Sequence, residues 1–238
     1  MTKRHALLLD FDIKAQPDDV TCGPTCLHSI YEYYNDPVGL PEVIKEVKSL
    51  KDGGTLGVML ANHALRRGYK VHLYTYNLNV FDPTWFKYSS KKIINFLKQQ
   101  IRYKFKRKKL IVASRAYVKF LESGGKIFQD ELNAELIKKY LKQSKPILTG
   151  LSATYLYGTK REMPADNKFD SIRGEPVGHF VIINGYDEST NTVSLADPMH
   201  QNPQKSQYYK VNVDRLINSI MLGIVTYDAN LLIIEPNK

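Results

Sequence analysis

The chain has 238 residues, of which 43% are hydrophobic and 24% are charged. This composition is that of a globular protein and excludes a disordered or fibrous chain. Lysine and arginine total 34 against 24 acidic residues, which gives a formal charge of +10. Residues 87–109 contain ten of the basic residues and none of the acidic ones, so the rest of the chain is neutral overall. The positive charge therefore belongs to one segment.

Compartment and cofactor content are constrained by the apolar stretches and by the cysteines. No apolar stretch reaches the ~20 residues that a membrane-spanning helix requires. The apolar run Ala6–Leu9 ends at Asp10, and a secretory signal needs ~7–15 apolar residues. Cys22 and Cys26 lie four residues apart, a spacing that suits neither a disulfide nor, without further ligands, a metal site. We expect a soluble cytoplasmic protein with two free thiols and no metal or organic cofactor.

The first half of the chain is predicted to be mainly helical. Pro24 falls in the first turn of its first helix, where proline is tolerated. Thr55 is expected to cap the third helix and Asp130 to open an amphipathic one. The predicted elements are a strand at Ala6–Phe11, helices at Cys22–Tyr34, Leu40–Leu50 and Thr55–Arg67, a strand at Lys70–Tyr76, and helices within Asp82–Ser144 that are interrupted at Gly124-Gly125.

From Pro146 onward the pattern changes to short apolar segments typical of strands. The polar segment Gly158–Gly174 is long for a connection, which is typical of a binding or mobile loop. The predicted elements are strands at Ile147–Leu151, His179–Tyr186, Thr192–Ala196, Tyr208–Val211 and Leu231–Ile234, and a helix at Asp214–Leu222. A helical half packed on an antiparallel sheet predicts an α+β fold, in one domain that spans 1–238.

The basic segment 87–109 is predicted to contain an amphipathic helix. Its apolar stripe is formed by Ile93, Ile94, Leu97, Ile101 and Phe105, and adjoining basic residues are Lys98, Arg102, Lys106 and Lys109. We expect this helix to dock on the core and to leave its basic face free for an acidic partner. An anionic membrane surface or a nucleic acid is an alternative partner. No phosphate-binding loop or specific nucleic-acid motif accompanies the segment.

The residues around Cys22 indicate nucleophilic chemistry. A thiol in the first turn of a helix lies beside free backbone N–H groups and the positive end of the helix dipole, which favours the reactive thiolate. Gly23 is expected to leave this thiol uncrowded. Gln16, six residues earlier, can bring its side-chain NH₂ toward the same place. With the backbone N–H of Cys22 it would form an oxyanion hole. Cys26, one turn further along, is predicted to lie in the core.

A cysteine nucleophile needs a base, and the base needs an orienting group. His179 begins an apolar strand, and Asp197 follows the strand predicted to pair with it. If Val181 lies opposite Asp197, the two side chains are diagonal neighbours on one face of the sheet. A register shift of one residue would place them on opposite faces. Asp187, a competing carboxylate, lies at the turn and is expected to be too far from His179.

Together these residues resemble the C39 family of papain-like cysteine peptidases, whose best-known members cleave double-glycine leaders from bacteriocin precursors. The family pattern is Gln, five residues and Cys-Gly-x-x-Cys-Leu, followed far downstream by His-Phe-Val and Asp-Pro. The matching residues are Gln16, Cys22, Gly23, Cys26, Leu27, His179, Phe180, Val181, Asp197 and Pro198. The resemblance implies a papain-like fold, with Cys22 as nucleophile, His179 as base, Asp197 as its orienting group and Gln16 in the oxyanion hole.

The chain also departs from the leader-processing members. Thr21 precedes the nucleophile where they often carry Asp, and the stretch 77–145 is longer than the catalytic core needs. The resemblance is therefore to stand-alone C39-like proteins, with 77–145 a partly basic helical insertion and a peptide or peptide-like amide as substrate. Two alternatives stay open. The same thiol would serve an acyltransferase or transpeptidase, or the chain is a catalytically idle module that binds peptides or anionic partners through 87–109.

Overall fold

The computed structural model describes residues 6–50 and 53–237. Its helices and strands confirm the predicted α+β class. The strands are β1 (Ala6–Leu8), β2 (Lys70–Thr75), β3 (Lys126–Phe128), β4 (Ile147–Ser152), β5 (Gly178–Asp187), β6 (Thr192–Ala196), β7 (Tyr208–Asn212) and β8 (Asn230–Glu235). The α-helices are α1 (Cys22–Tyr33), α2 (Leu40–Glu46), α3 (Gly57–Arg66), α4 (Ser90–Tyr103), α5 (Lys108–Glu122), α6 (Ala134–Leu141), α7 (Ala153–Tyr157) and α8 (Val213–Leu222).

The strands form one eight-stranded sheet in the order β3-β2-β8-β4-β5-β6-β7, with β1 paired to β5. Every pairing is antiparallel except that of β2 with β3. The first half of the chain therefore supplies more than helices, because β2 and β3 complete one edge of the sheet. The short strand β3 and the short helix α7 were not predicted from the sequence.

Hydrophobic cores lie on both faces of the sheet. Along β8, Leu232 and Ile234 belong to one cluster, whereas Leu231 and Ile233 belong to the other, as the two-residue period of a strand requires. The first cluster includes residues of α1 to α5, and the second includes residues of α6, α7 and α8. This double burial explains why the central strands β4, β5 and β8 have nearly continuous apolar sequences.

Two predicted helix starts were wrong. The helix α3 begins at Gly57, because the Thr55 hydroxyl donates to the carbonyl of Lys48 (2.9 Å) and caps no helix. The helix α6 begins after Asn133, whose side-chain oxygen accepts from the backbone N–H of Leu136 (2.9 Å). Several polar residues near each helix start are suitable caps, and the sequence alone does not tell which of them is used.

The helix α4 of the basic segment docks on the core, as predicted. Ile93 and Leu97 are buried in the first hydrophobic cluster. Burial of each side chain stabilises the fold by about 1.5–3 kcal/mol. The predicted apolar stripe ends early, because α4 stops at Tyr103 and Phe105 lies beyond it, 66% exposed. The basic run continues through a turn into the start of α5.

Within residues 6–50 and 53–237, no helix combines the length and the apolar character that crossing a membrane requires.

Candidate active site

Cys22 is the first residue of α1 and is half-buried. No side chain caps this helix, so the N–H groups of its first turn are left without an intrahelical partner. Gly23 has a packing role that differs from the one expected. A Cβ at this position would lie 2.7 Å from the Thr55 side chain and 3.2 Å from the Phe180 ring. Glycine therefore lets the start of α1 approach both neighbours closely.

His179 and Asp197 meet on adjacent strands. The ladder between β5 and β6 pairs Ile182 with Ala196, and the next position in this register places Val181 opposite Asp197. Of the two registers that the sequence left open, this is the one that brings His179 and Asp197 to the same face. It makes His179 a diagonal neighbour of Asp197 on one face, and His179 Nε2 lies 2.8 Å from Asp197 Oδ1. Cys22 lies near the same imidazole, where its charge and hydrogen bonding contribute to the raised pKa of His179.

Asp197 is fully buried and its carboxylate accepts four hydrogen bonds. Oδ1 accepts from His179 Nε2 (2.8 Å) and from the backbone N–H of Met199 (2.9 Å). Oδ2 accepts from the hydroxyls of Tyr157 (2.6 Å) and Tyr209 (2.7 Å). A buried carboxylate with this many donors is stable as an anion. The donors therefore keep a negative charge beside the imidazole.

The two tyrosines were missed by sequence reasoning. Tyr209 had a usable signal, because Leu195 pairs with Tyr209 and the backbone of Asp197 pairs with Gln207. Tyr209 is thus the diagonal neighbour of Asp197 on the opposite side from the histidine. Tyr157 had no such signal, since it ends the unpredicted helix α7 and reaches Asp197 across 40 residues of chain.

The charges of His179 and Asp197 stabilise each other. Burial on its own would lower the pKa of His179, but the negative charges of Asp197 and Cys22 and the hydrogen bonds to both raise it to about 10. Burial on its own would raise the pKa of Asp197, but His179 and the two tyrosine hydroxyls together lower it. The arrangement favours an imidazolium beside the carboxylate of Asp197.

Gln16 lies on the loop before α1, and its backbone is hydrogen-bonded next to Asp197, the partner of His179. Its backbone N–H donates to the carbonyl of Pro198 (2.9 Å), the residue after Asp197. One side-chain N–H donates to the carbonyl of Asp18 (2.8 Å), and Oε1 is buried with no hydrogen-bond partner among the described residues. The second N–H of the amide is available for a ligand.

Cys26 and Asp187 lie where they were expected, in the core and at the turn of the hairpin. Cys26 is fully buried and its thiol donates to the carbonyl of Phe180 (3.4 Å). Burial, followed by the charges of Cys22 and Asp197, raises the pKa of Cys26 well above its ordinary value. Asp187 lies at the turn end of the hairpin, where it hydrogen-bonds to Ser189 and Lys210.

The polar segment Gly158–Gly174 lies beside the site. Asn167 donates to Asp19 on the loop before the nucleophile (3.0 Å). Burial and the negative charge of Asp19 raise the pKa of Glu162, whereas the charge of His179 opposes the rise. Both observations place this segment between the strand that carries the histidine and the loop that leads to α1.

A second buried carboxyl group lies near His179. Asp228 Oδ2 accepts from the Thr226 hydroxyl (2.7 Å), and Oδ1 has no hydrogen-bond partner among the described residues. Glycines make room for it, because a Cβ on Gly178 would lie 2.5 Å from Asp228 Oδ2. Burial raises the pKa of Asp228 to about 7, although Thr226, Lys109 and His179 oppose the rise.

The described residues contain no group of three or more His, Cys, Asp or Glu side chains arranged to hold a metal ion.

Three solved structures are similar to this chain. A structure from Bacillus anthracis described as a C39-like peptidase is 13% identical, with a TM-score of 0.50 over 98% of this chain and 99% of that one. The peptidase domain of Streptococcus ComA, a bi-functional ABC transporter, is 13% identical with a TM-score of 0.43, over 95% of this chain and 99% of that one. A double-glycine motif protease from an AMS/PCAT transporter, solved with its leader peptide, is 12% identical. Its TM-score is 0.46, over 97% of this chain and 94% of that one.

Sequence comparison is more decisive. Among curated proteins, none matches this chain. The sequence profile of the peptidase C39-like family matches residues 8–218, a range that includes the start of α1, the histidine strand β5 and the aspartate that follows β6. The chain therefore belongs to the peptidase C39-like family.

Proposed function

We propose that this chain is a cysteine peptidase that cleaves a peptide or peptide-like amide through Cys22, His179 and Asp197, with Gln16 in the oxyanion hole. Family membership supports a peptidase-type function. The observation that carries the finer proposal is the position of His179, whose Nε2 lies 2.8 Å from the four-donor carboxylate of Asp197 and whose pKa is also raised by nearby Cys22. A nucleophile, a base and an orienting group in contact are what acyl transfer by a thiol requires.

The first half of the reaction forms a thioester. The thiolate of Cys22 attacks the carbonyl carbon, and the oxygen that gains negative charge receives hydrogen bonds from the Cys22 backbone N–H and the free N–H of Gln16. The imidazolium of His179 then gives its proton to the leaving amine as the C–N bond breaks. Asp197 holds the ring in orientation and stabilises its positive charge.

The second half restores the enzyme. Neutral His179 accepts a proton from a water molecule, whose oxygen attacks the thioester carbonyl. Collapse of this second tetrahedral species releases the carboxylic acid product and Cys22 as thiolate, and the imidazolium is regenerated. Atoms and charges balance with water as the only co-reactant.

The test compares Cys22→Ala with Cys26→Ala, two cysteines one helical turn apart. Each variant is incubated with a peptide library made by digestion of a cell lysate, and new peptide termini are identified by mass spectrometry. We expect Cys22→Ala to produce no new termini and Cys26→Ala to retain most of the wild-type cleavage. Circular dichroism and thermal unfolding check that both variants fold. Equal loss in two folded variants would contradict the assignment of Cys22.

A library spiked with a primary amine distinguishes hydrolysis from acyl transfer. Hydrolysis adds water to every new C-terminus, and we expect free carboxylates at all of them. New C-termini that carry the amine would show a transferase that uses the same thioester. A wild-type protein that cleaves nothing in the library would favour the idle binding module.

A further inference from the structure

A cavity of about 230 Å³ lies between α3 and α5, outside the catalytic group of residues. On each helix, its lining residues recur at spacings of three, four and seven positions, which places them on facing sides of the two helices. The residues are Met59, Asn62 and Arg66 on α3 and Val112, Arg115, Ala116 and Lys119 on α5. Lys48, from the segment after α2, completes the lining. We call this space the α3–α5 groove.

The rim of the α3–α5 groove is positively charged. Lys48, Arg66, Arg115 and Lys119 contribute four cations, all on exposed side chains, and none of the lining residues is acidic. The salt bridges among the described residues include none of these four. The guanidinium of Arg66 donates to backbone carbonyls only. Four basic side chains with no salt bridge among the described residues favour the binding of an anion here.

The floor of the groove contains an unused hydrogen-bond acceptor. Asn62 is 6% exposed, and its Nδ2 donates to the carbonyls of Val58 (2.9 Å) and Ala116 (3.0 Å). Its Oδ1 is buried and has no partner among the described residues. Such an oxygen is costly unless a donor reaches it. Met59 and Ala116 provide apolar surface beside it, so the floor suits a chain that carries N–H groups and apolar side chains.

Thr55 lies between the rim of the groove and the residue next to the proposed nucleophile. Thr55 contacts the position of Gly23, the neighbour of Cys22, and its hydroxyl donates to the carbonyl of Lys48 at the rim (2.9 Å). From Met59 to Arg66 the groove then follows α3 for seven residues, or ~10 Å. An extended peptide covers that distance in about three residues.

We propose that the α3–α5 groove binds an acidic segment of the peptide substrate, a few residues away from the bond that Cys22 attacks. This inference rests on the proposed peptidase function, which it extends to substrate choice. The four cations at the rim select Asp or Glu side chains, and Asn62 at the floor pairs with a backbone N–H. The selecting charges at Arg115 and Lys119 lie on α5, outside residues 87–109.

The experiment measures binding without turnover. A fluorescein-labelled peptide that alternates Glu with Leu is titrated against the Cys22→Ala protein, and fluorescence anisotropy gives Kd. The test variant adds Arg115→Glu and Lys119→Glu. The matched control adds Lys104→Glu and Lys106→Glu, the same charge change in the turn between α4 and α5. We expect Kd to rise about tenfold or more in the test variant and about twofold or less in the control.

A third protein carries Ala116→Trp, which fills the groove without a change of charge, and we expect the same loss of affinity. The Gln-for-Glu version of the peptide should bind at least about tenfold more weakly to the Cys22→Ala protein. Equal losses in the test and control variants, or equal binding of the two peptides, would overturn the proposal. Because Cys22 is absent throughout, failure of the groove and failure of the peptidase assignment are separate results.

Discussion

Two buried aspartates lie near His179, and their surroundings shift their pKa values in opposite directions. Asp197 accepts four hydrogen bonds, and the pKa of this carboxyl is lowered despite burial. Asp228 accepts one from Thr226, leaves Oδ1 without a described partner, and has a pKa raised to about 7. The charge of His179 and the hydrogen-bond donors together outweigh burial at Asp197, whereas burial dominates at Asp228.

The largest expected effect is that of Asp197→Asn. The variant removes the negative charge that raises the pKa of His179, so we expect kcat/KM to fall by roughly 10²–10⁴-fold. The alkaline limb of the pH profile, expected near pH 10 in the wild type, should move to lower pH. The control is Asp187→Asn at the hairpin turn, which should change kcat/KM by about twofold or less. An unchanged alkaline limb in Asp197→Asn would contradict the assignment.

An intermediate effect is expected for Tyr157→Phe and for Tyr209→Phe. Each variant removes one of the two hydroxyls that bind Asp197 Oδ2, at a cost of about 1–3 kcal/mol in the free energy of unfolding. The hydroxyls lower the pKa of Asp197, so this carboxylate contributes stability above its ordinary titration range that is lost as pH falls. With one donor removed, acid unfolding should begin at higher pH.

The matched control for these variants is Tyr155→Phe, on the same helix as Tyr157. Its ring is stacked by Arg215 and stays in place after the substitution. Chemical denaturation at several pH values measures all three proteins. Identical acid transitions in the Tyr157, Tyr209 and Tyr155 variants would show that the hydroxyls do not stabilise the Asp197 charge.

An effect of opposite sign is expected for Asp228→Asn. A folded-state pKa of about 7 lies above the ordinary value of 3.8, so Asp228 contributes stability at low pH that is lost as pH rises from about 4 to 7. Asparagine carries no charge, so the variant should lose this dependence. At pH 8 it should be more stable than the wild type by about 1–4 kcal/mol. A variant that is less stable at pH 8 would show that Asp228 is a compensated anion.

Much of the candidate site was predictable because its signals are local or lie on one hairpin. The helix that begins at Cys22 is indicated by apolar periodicity and by Pro24 in its first turn. The contact between His179 and Asp197 follows from the two-residue period of paired strands once the register is known. The burial of Cys26 follows from the same helical pattern.

The sequence by itself determined the α+β class, the family, and which residues are candidates for nucleophile, base and orienting group. Only the tertiary structure decided that the register pairs Ile182 with Ala196, that Tyr157 and Tyr209 hold the aspartate, and that the basic charge of α5 faces α3. The physical reason is the distance along the chain between the groups that interact. Periodicity reports the faces of one element, whereas hydrogen-bond donors for a buried charge arrive from any part of the chain that packing brings near.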